Sequence, residues 1–141
     1  MDRNATAIWK GTFKEGSGTL DSQSGALANL PYSAKGRFED ESGKSGTNPE
    51  ELIAAAHAGC FAMQLAAFLA NNGTPADKLE ATAVVTLVPG TGITGSAITL
   101  VGTVPGIDEA KFKELAEKAK AGCPVSKALG AINVSLDAKL G

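Results

Sequence analysis

Apolar and polar positions alternate through the N-terminal third of the chain. Ala5-Thr6-Ala7-Ile8-Trp9-Lys10-Gly11-Thr12-Phe13 has the two-residue rhythm of a strand, and Glu15-Gly16-Ser17-Gly18 marks a turn after it. Gly18-Thr19-Leu20 and Leu30-Pro31-Tyr32-Ser33 predict two more short strands around a Ser/Gly-containing loop. Phe38 closes this region, and Glu39 to Gly46 is polar and rich in Gly and Ser, as a surface loop is.

The pattern then changes period. Thr47-Asn48-Pro49-Glu50-Glu51 is a helix start: Thr47 or Asn48 can cap, Pro49 suits the first helical position, and both Glu favour the positive end of the helix dipole. The helix is expected to run to Asn72-Gly73, about 24 residues or roughly 36 Å at the standard rise. It is apolar on nearly every face, so it must be surrounded by protein. Leu79 to Val88 and Gly95 to Val104 predict a β-hairpin across Pro89-Gly90-Thr91-Gly92. Asp108 caps a second helix over Glu109 to Ala121, with Phe112, Leu115 and Ala119 as its apolar stripe. Gly122-Cys123-Pro124 breaks it before a short helix, Val125 to Leu129, and Ile132 to Leu136 alternates as a last strand.

This order predicts a single α+β domain over residues 1–141 with mainly antiparallel sheet. One such chain has too few strands to wrap a fully apolar helix. The economical solution is a homodimer in which two of these helices bury one another between two sheets.

Composition narrows the function. The 141 residues are 43% apolar and 20% charged with a net charge of −2, and the Lys are scattered, which excludes an electrostatic footprint for nucleic acid. Leu52 to Ala70 is long enough to span a bilayer. It contains His57 and Gln64, many weakly apolar Ala, and flanks of Glu and Asn instead of Lys or Arg, so a buried helix of a soluble protein is expected, with no membrane partner. No leader pattern is visible at the N-terminus, and the expected location is the cytoplasm.

Two cysteines, Cys60 within the long helix and Cys123 at the start of the short one, are too few for a disulfide scaffold. In a reducing compartment a bond between them is transient chemistry. By spacing alone both also read as small buried hydrophobes. His57, the one histidine, lies three residues before Cys60 on the same helical face; it is either a base for that thiol or a buried histidine bonding a backbone carbonyl. One His and two Cys without ligand spacing give no zinc site, and no cofactor is expected.

Two blocks decide between these readings. Thr47-Asn48-Pro49-Glu50-Glu51-Leu52-Ile53-Ala54-Ala55-Ala56-His57-Ala58-Gly59-Cys60-Phe61 strongly resembles the core motif of the OsmC/Ohr family (osmotically inducible protein C and organic hydroperoxide resistance protein). Val104-Pro105-Gly106-Ile107-Asp108 and Lys118-Ala119-Lys120-Ala121-Gly122-Cys123-Pro124-Val125-Ser126 resemble its second-cysteine region, and the position of Arg37 favours the OsmC branch. The resemblance implies an intertwined homodimer, antiparallel sheets around two long central helices, acting as a cysteine peroxidase in oxidative and osmotic stress defence. It makes Cys60 the peroxidatic cysteine, Cys123 the resolving one, Arg37 the active-site arginine and Glu50 its partner carboxylate. The implied substrate is a small hydroperoxide, organic ones favoured, and the implied reductant an external dithiol, a lipoylated protein being one candidate.

Glu50 and Cys60 are ten residues apart, roughly 15 Å along a straight helix. Glu50 therefore hardly reaches its own Cys60, and composite sites at the dimer interface are expected. Two other readings predict different results: a non-catalytic binding member of the fold would not consume peroxide, and a His57–Cys60 hydrolase would be indifferent to losing Cys123.

Overall fold

A computed structural model describes residues 1–141. The chain divides into two compact units, Met1–Pro49 and Glu50–Gly141.

The first unit is an antiparallel three-stranded sheet in the order β1-β2-β3, with β1 Ala5–Lys10, β2 Ser17–Ser22 and β3 Leu30–Ser33. β1 is shorter than its alternation suggests because Gly11 takes a φ of +91°, which starts the reversal at once. The turn thus falls earlier than expected, and Ser17 joins Gly18 in β2. A five-residue helix, α1 Ala34–Phe38, follows β3 directly; the Ser33 hydroxyl caps it by accepting from the Gly36 N–H. The sequence pattern did not reveal α1. Asp40 then organises the polar loop, accepting from the Ser42, Lys44 and Ser45 N–H groups.

The second unit takes almost all of the long helix, α2 Pro49–Asn71, and the hairpin β4 Lys78–Val88 with β5 Gly92–Thr103. α3 Glu109–Gly122, α4 Pro124–Ala128 and β6 Asn133–Leu140 complete it. Asp108 caps α3 as expected, its carboxylate accepting from the Lys111 N–H. The sheet order is β4-β5-β6. β5 and β6 run parallel, the one departure from antiparallel pairing, because α3 and α4 carry the chain back to the end of the sheet from which β5 started. β6 also runs past Leu136: Ala138 continues the inward rhythm while Asp137 stays exposed.

The core of this unit lies between the sheet and two helices. Phe61, Leu65 and Leu69 of α2 meet Ile98 and Leu100 of β5 and Phe112, Leu115, Ala116 and Ala119 of α3. A Cβ on Gly102 would stand 2.6 Å from the Phe112 ring, so this strand position accepts only glycine while the ring stays where it is. Gly102→Ala is expected to cost about 1–3 kcal/mol of stability, read as a lowered midpoint in a denaturant melt.

α2 is covered as one chain with few strands is expected to cover it. Within the chain it is not enclosed on all sides: its buried residues are His57, Phe61, Leu65 and Leu69, a single stripe at i, i+4 spacing. The other side, including Ala55, Gly59, Met63 and Ala66, is exposed, Met63 by 71%. By length and composition alone the helix could cross a membrane. A three-stranded sheet covers one helix face, and this chain supplies the second unit with one such sheet.

Candidate active site

The two cysteines, 63 residues apart in sequence, meet in space. Cys60 is the last residue before Phe61 on the buried stripe of α2, and Cys123 caps the N-terminal end of α4 where Pro124 forces α3 to stop. Their sulfurs lie 2.8 Å apart as free thiols, within hydrogen-bond distance of each other. Cys123 is fully buried, whereas Cys60 is part-exposed. A reagent arriving from solvent therefore reaches Cys60.

The surroundings treat the two thiols differently. Burial is the main influence on Cys60 and pushes its pKa above the usual thiol value; the contact with Cys123 raises it further, against a Val125 N–H that favours the thiolate. Burial also penalises the Cys123 thiolate. There it is outweighed by Cys60, by the N–H and hydroxyl of Ser126 and by the Val125 N–H, and the Cys123 pKa is held below its ordinary value. Within one chain, Cys123 is the sulfur that more readily carries charge.

His57 does not contact Cys60 as a base. Its ring is fully buried, with Nδ1 2.7 Å from the Ser96 hydroxyl and Nε2 2.8 Å from the Ser126 hydroxyl. It is thus a satisfied buried histidine, with serine hydroxyls as partners where a backbone carbonyl was the alternative. Burial keeps the ring neutral by lowering its pKa below the ordinary 6.5. The folded state then binds this proton less readily than the unfolded chain. The resulting stability is complete above the unfolded value and lost as pH falls from there through the folded one. Thermal melts of wild type and His57→Gln should show the wild-type advantage shrinking as pH falls below the ordinary histidine value of 6.5.

Ser96 and Ser126 were not singled out from sequence. A signal existed for Ser96: it shares the inward face of β5 with Ile98 and Leu100, where a polar side chain needs a partner. Ser126 lies three residues after Cys123 in a short helix, and nothing in its neighbours marks it.

The other two expected site residues lie apart in sequence and element. Arg37 is on α1, its guanidinium carbon 4.9 Å from the Phe38 ring centroid. It lines a largely apolar cavity of about 360 Å³ in the first unit, together with Trp9, Phe13, Tyr32 and Phe38. Glu50 stands in the first turn of α2, ten residues before Cys60 on the same helix.

Comparison with known proteins agrees with this fold. The family model described as OsmC-like protein matches residues 41–137. Peroxiredoxin OsmC of Escherichia coli K12 is 44% identical over 143 residues, covering 99% of this chain and 97% of that one. The organic hydroperoxide resistance protein of Xanthomonas axonopodis pv. citri is 38% identical over 101 residues, 67% of this chain and 68% of that one. Among solved structures, the organic hydroperoxide resistance protein OhrB of Bacillus subtilis superposes with a TM-score of 0.66 at 28% identity, covering 96% of this chain and 98% of that one. With a full-length relative at this identity, a matching family model and both cysteine blocks in place, the chain belongs to the OsmC/Ohr family.

Proposed function

We propose that this protein is a thiol-based peroxidase that reduces organic hydroperoxides in stress defence, with Cys60 as the attacking sulfur and Cys123 as the resolving one. The observation that carries the reading is the sulfur pair itself: one part-exposed thiol 2.8 Å from one sealed thiol, joining two distant parts of the chain. The names of the relatives, a peroxiredoxin and organic hydroperoxide resistance proteins, support it.

The chemistry follows from the residues. The Cys60 thiolate attacks one peroxide oxygen, the O–O bond breaks, and alcohol leaves with a sulfenic acid on Cys60. Cys123 then attacks that sulfur, expelling the hydroxyl as water and closing a disulfide. An external dithiol, such as that of a lipoylated protein, returns both thiols by exchange. A redox-active pair of this kind suits the reducing cytoplasm, where no structural disulfide is kept.

Arg37 is the cation that Cys60 needs. Its guanidinium lowers the thiol pKa and stabilises charge on the departing alkoxide, and a carboxylate from Glu50 holds the guanidinium fork in place. The apolar walls of the cavity beside Arg37 suit the organic part of a hydroperoxide. Both units act together in one OsmC-like domain, and two such chains form an intertwined homodimer. The exposed small-residue face of α2 supports this, since Ala and Gly let two helices approach closely and a second copy covers what one sheet leaves open. Because Glu50 is far along the helix from its own Cys60, each site takes the partner's Glu50. Neither nucleic acid nor a membrane has a role in this scheme.

With excess dithiothreitol, the purified protein should consume tert-butyl hydroperoxide catalytically, followed as alcohol formed per chain. A rate no higher than that of dithiothreitol alone would overturn the reading.

A further inference from the structure

One buried group has no task in that chemistry. His57 occupies the same inward stripe as Phe61, Leu65 and Leu69, where an apolar side chain would fill space without needing partners. Instead the fold supplies two hydroxyls to it, Ser96 from β5, 39 residues away, and Ser126 from α4, 69 residues away. Ser126 stands one turn beyond Cys123, which caps the same short helix, and both are buried; its hydroxyl favours the Cys123 thiolate. The hydroxyl that bonds this buried imidazole thus lies one helical turn from the second thiol.

A serine hydroxyl has one proton to give. If it donates to the Cys123 sulfur, it must receive its own hydrogen bond from His57 Nε2–H. That choice fixes the ring: Nε2 carries the proton, and Nδ1 accepts from the Ser96 hydroxyl. Three hydrogen bonds then point the same way, Ser96 to His57, His57 to Ser126 and Ser126 to Cys123, each strengthening the next. In the opposite tautomer the Ser126 proton turns to Nε2, and a lone pair faces the sulfur, which suits a thiol and repels a thiolate.

Resting on the two-cysteine reading above, we propose that His57 and Ser126 are positioning residues for resolution: His57, oriented by Ser96, aims the Ser126 hydroxyl at Cys123 and readies that sulfur for attack on oxidised Cys60. In that step the Cys123 electron pair forms the S–S bond as the Cys60 S–O bond breaks. The departing hydroxide takes up the proton that Cys123 gave up and leaves as water. No further oxidant enters. The attack on peroxide by Cys60 does not pass through His57, whose two ring nitrogens are both engaged elsewhere.

The two steps separate in rapid-quench experiments with one equivalent of tert-butyl hydroperoxide. Alcohol release reports the first, and loss of dimedone-reactive sulfenic acid with disulfide formation reports the second. Ser126→Ala should release alcohol at the wild-type rate and form the disulfide about ten- to a hundredfold more slowly, the effect of one lost hydrogen bond to a charged group. Ser126→Thr, which keeps the hydroxyl, should restore it. His57→Gln should slow the same step, and the double variant His57→Gln/Ser126→Ala should be no slower than Ser126→Ala alone, because both act through one hydroxyl. Wild-type resolution in Ser126→Ala, equal slowing of both steps, no rescue by Thr, or slowings that multiply would each overturn the inference. Wild type that releases alcohol without forming a disulfide would overturn the two-cysteine assignment instead, and this inference with it.

Discussion

Replacing Cys60 by Ser is expected to lower hydroperoxide turnover by a factor on the order of a thousand or more, as the loss of a covalent nucleophile does. A serine oxygen stays protonated and cannot pass through a sulfenic acid. Cys123 cannot take over: although its surroundings favour its thiolate, it is sealed from solvent behind Cys60. In the proposed scheme, charge and access divide the work between the two sulfurs. Cys123→Ser should behave differently. It keeps the exposed nucleophile, so it should release about one alcohol per chain in a burst and then stall as the Cys60 sulfenic acid. Burst kinetics of the two variants side by side check both statements. Equal losses of the burst would mean that the sulfurs do not have separate roles.

The second large effect concerns the assembly. Cys60→Ser and Glu50→Ala homodimers should each be severely impaired. Mixed under conditions that allow subunit exchange, they should recover roughly a quarter of wild-type activity, because random pairing makes half of the dimers mixed and each mixed dimer holds one complete site. The reason is the length of a helix. Ten residues of α2 separate Glu50 from Cys60 in one chain, roughly 15 Å. Antiparallel packing of two such helices removes that distance by bringing the start of one beside the middle of the other. No recovery on mixing, with exchange demonstrated independently by mass-tagged chains, would confine each site to one chain.

Much of the fold was legible because local chemistry and tertiary environment agree there. The Thr47-to-Glu51 start of α2, the Asp108 cap of α3 and the alternation of β4 and β5 all fall where the side-chain pattern puts them. The halt at Gly122-Cys123-Pro124 does too. α1 was not legible: it is five residues long, contains Gly36, and depends on a cap from Ser33 that looks like the end of a strand. The parallel pairing of β5 with β6 depends on where α3 returns the chain, which no residue of either strand encodes.

The same distinction runs through the site. Cys60 and Cys123 were recognisable through the blocks around them, although their spacing alone favoured no chemistry. His57 was visible, but its task was not, since that depends on Ser96 and Ser126 arriving from other elements. The long helix carried the broadest message. Its apolar character asks for cover on every side, and the chain itself provides that along one stripe.

Intact mass with thiol counting tests the central claim most directly. After one equivalent of cumene hydroperoxide, wild-type chains should lose two hydrogen masses and both free thiols, and peptide mapping should place the new bond between Cys60 and Cys123. Chains that keep both thiols, or gain oxygen mass on Cys123 while Cys60 stays reduced, would contradict it.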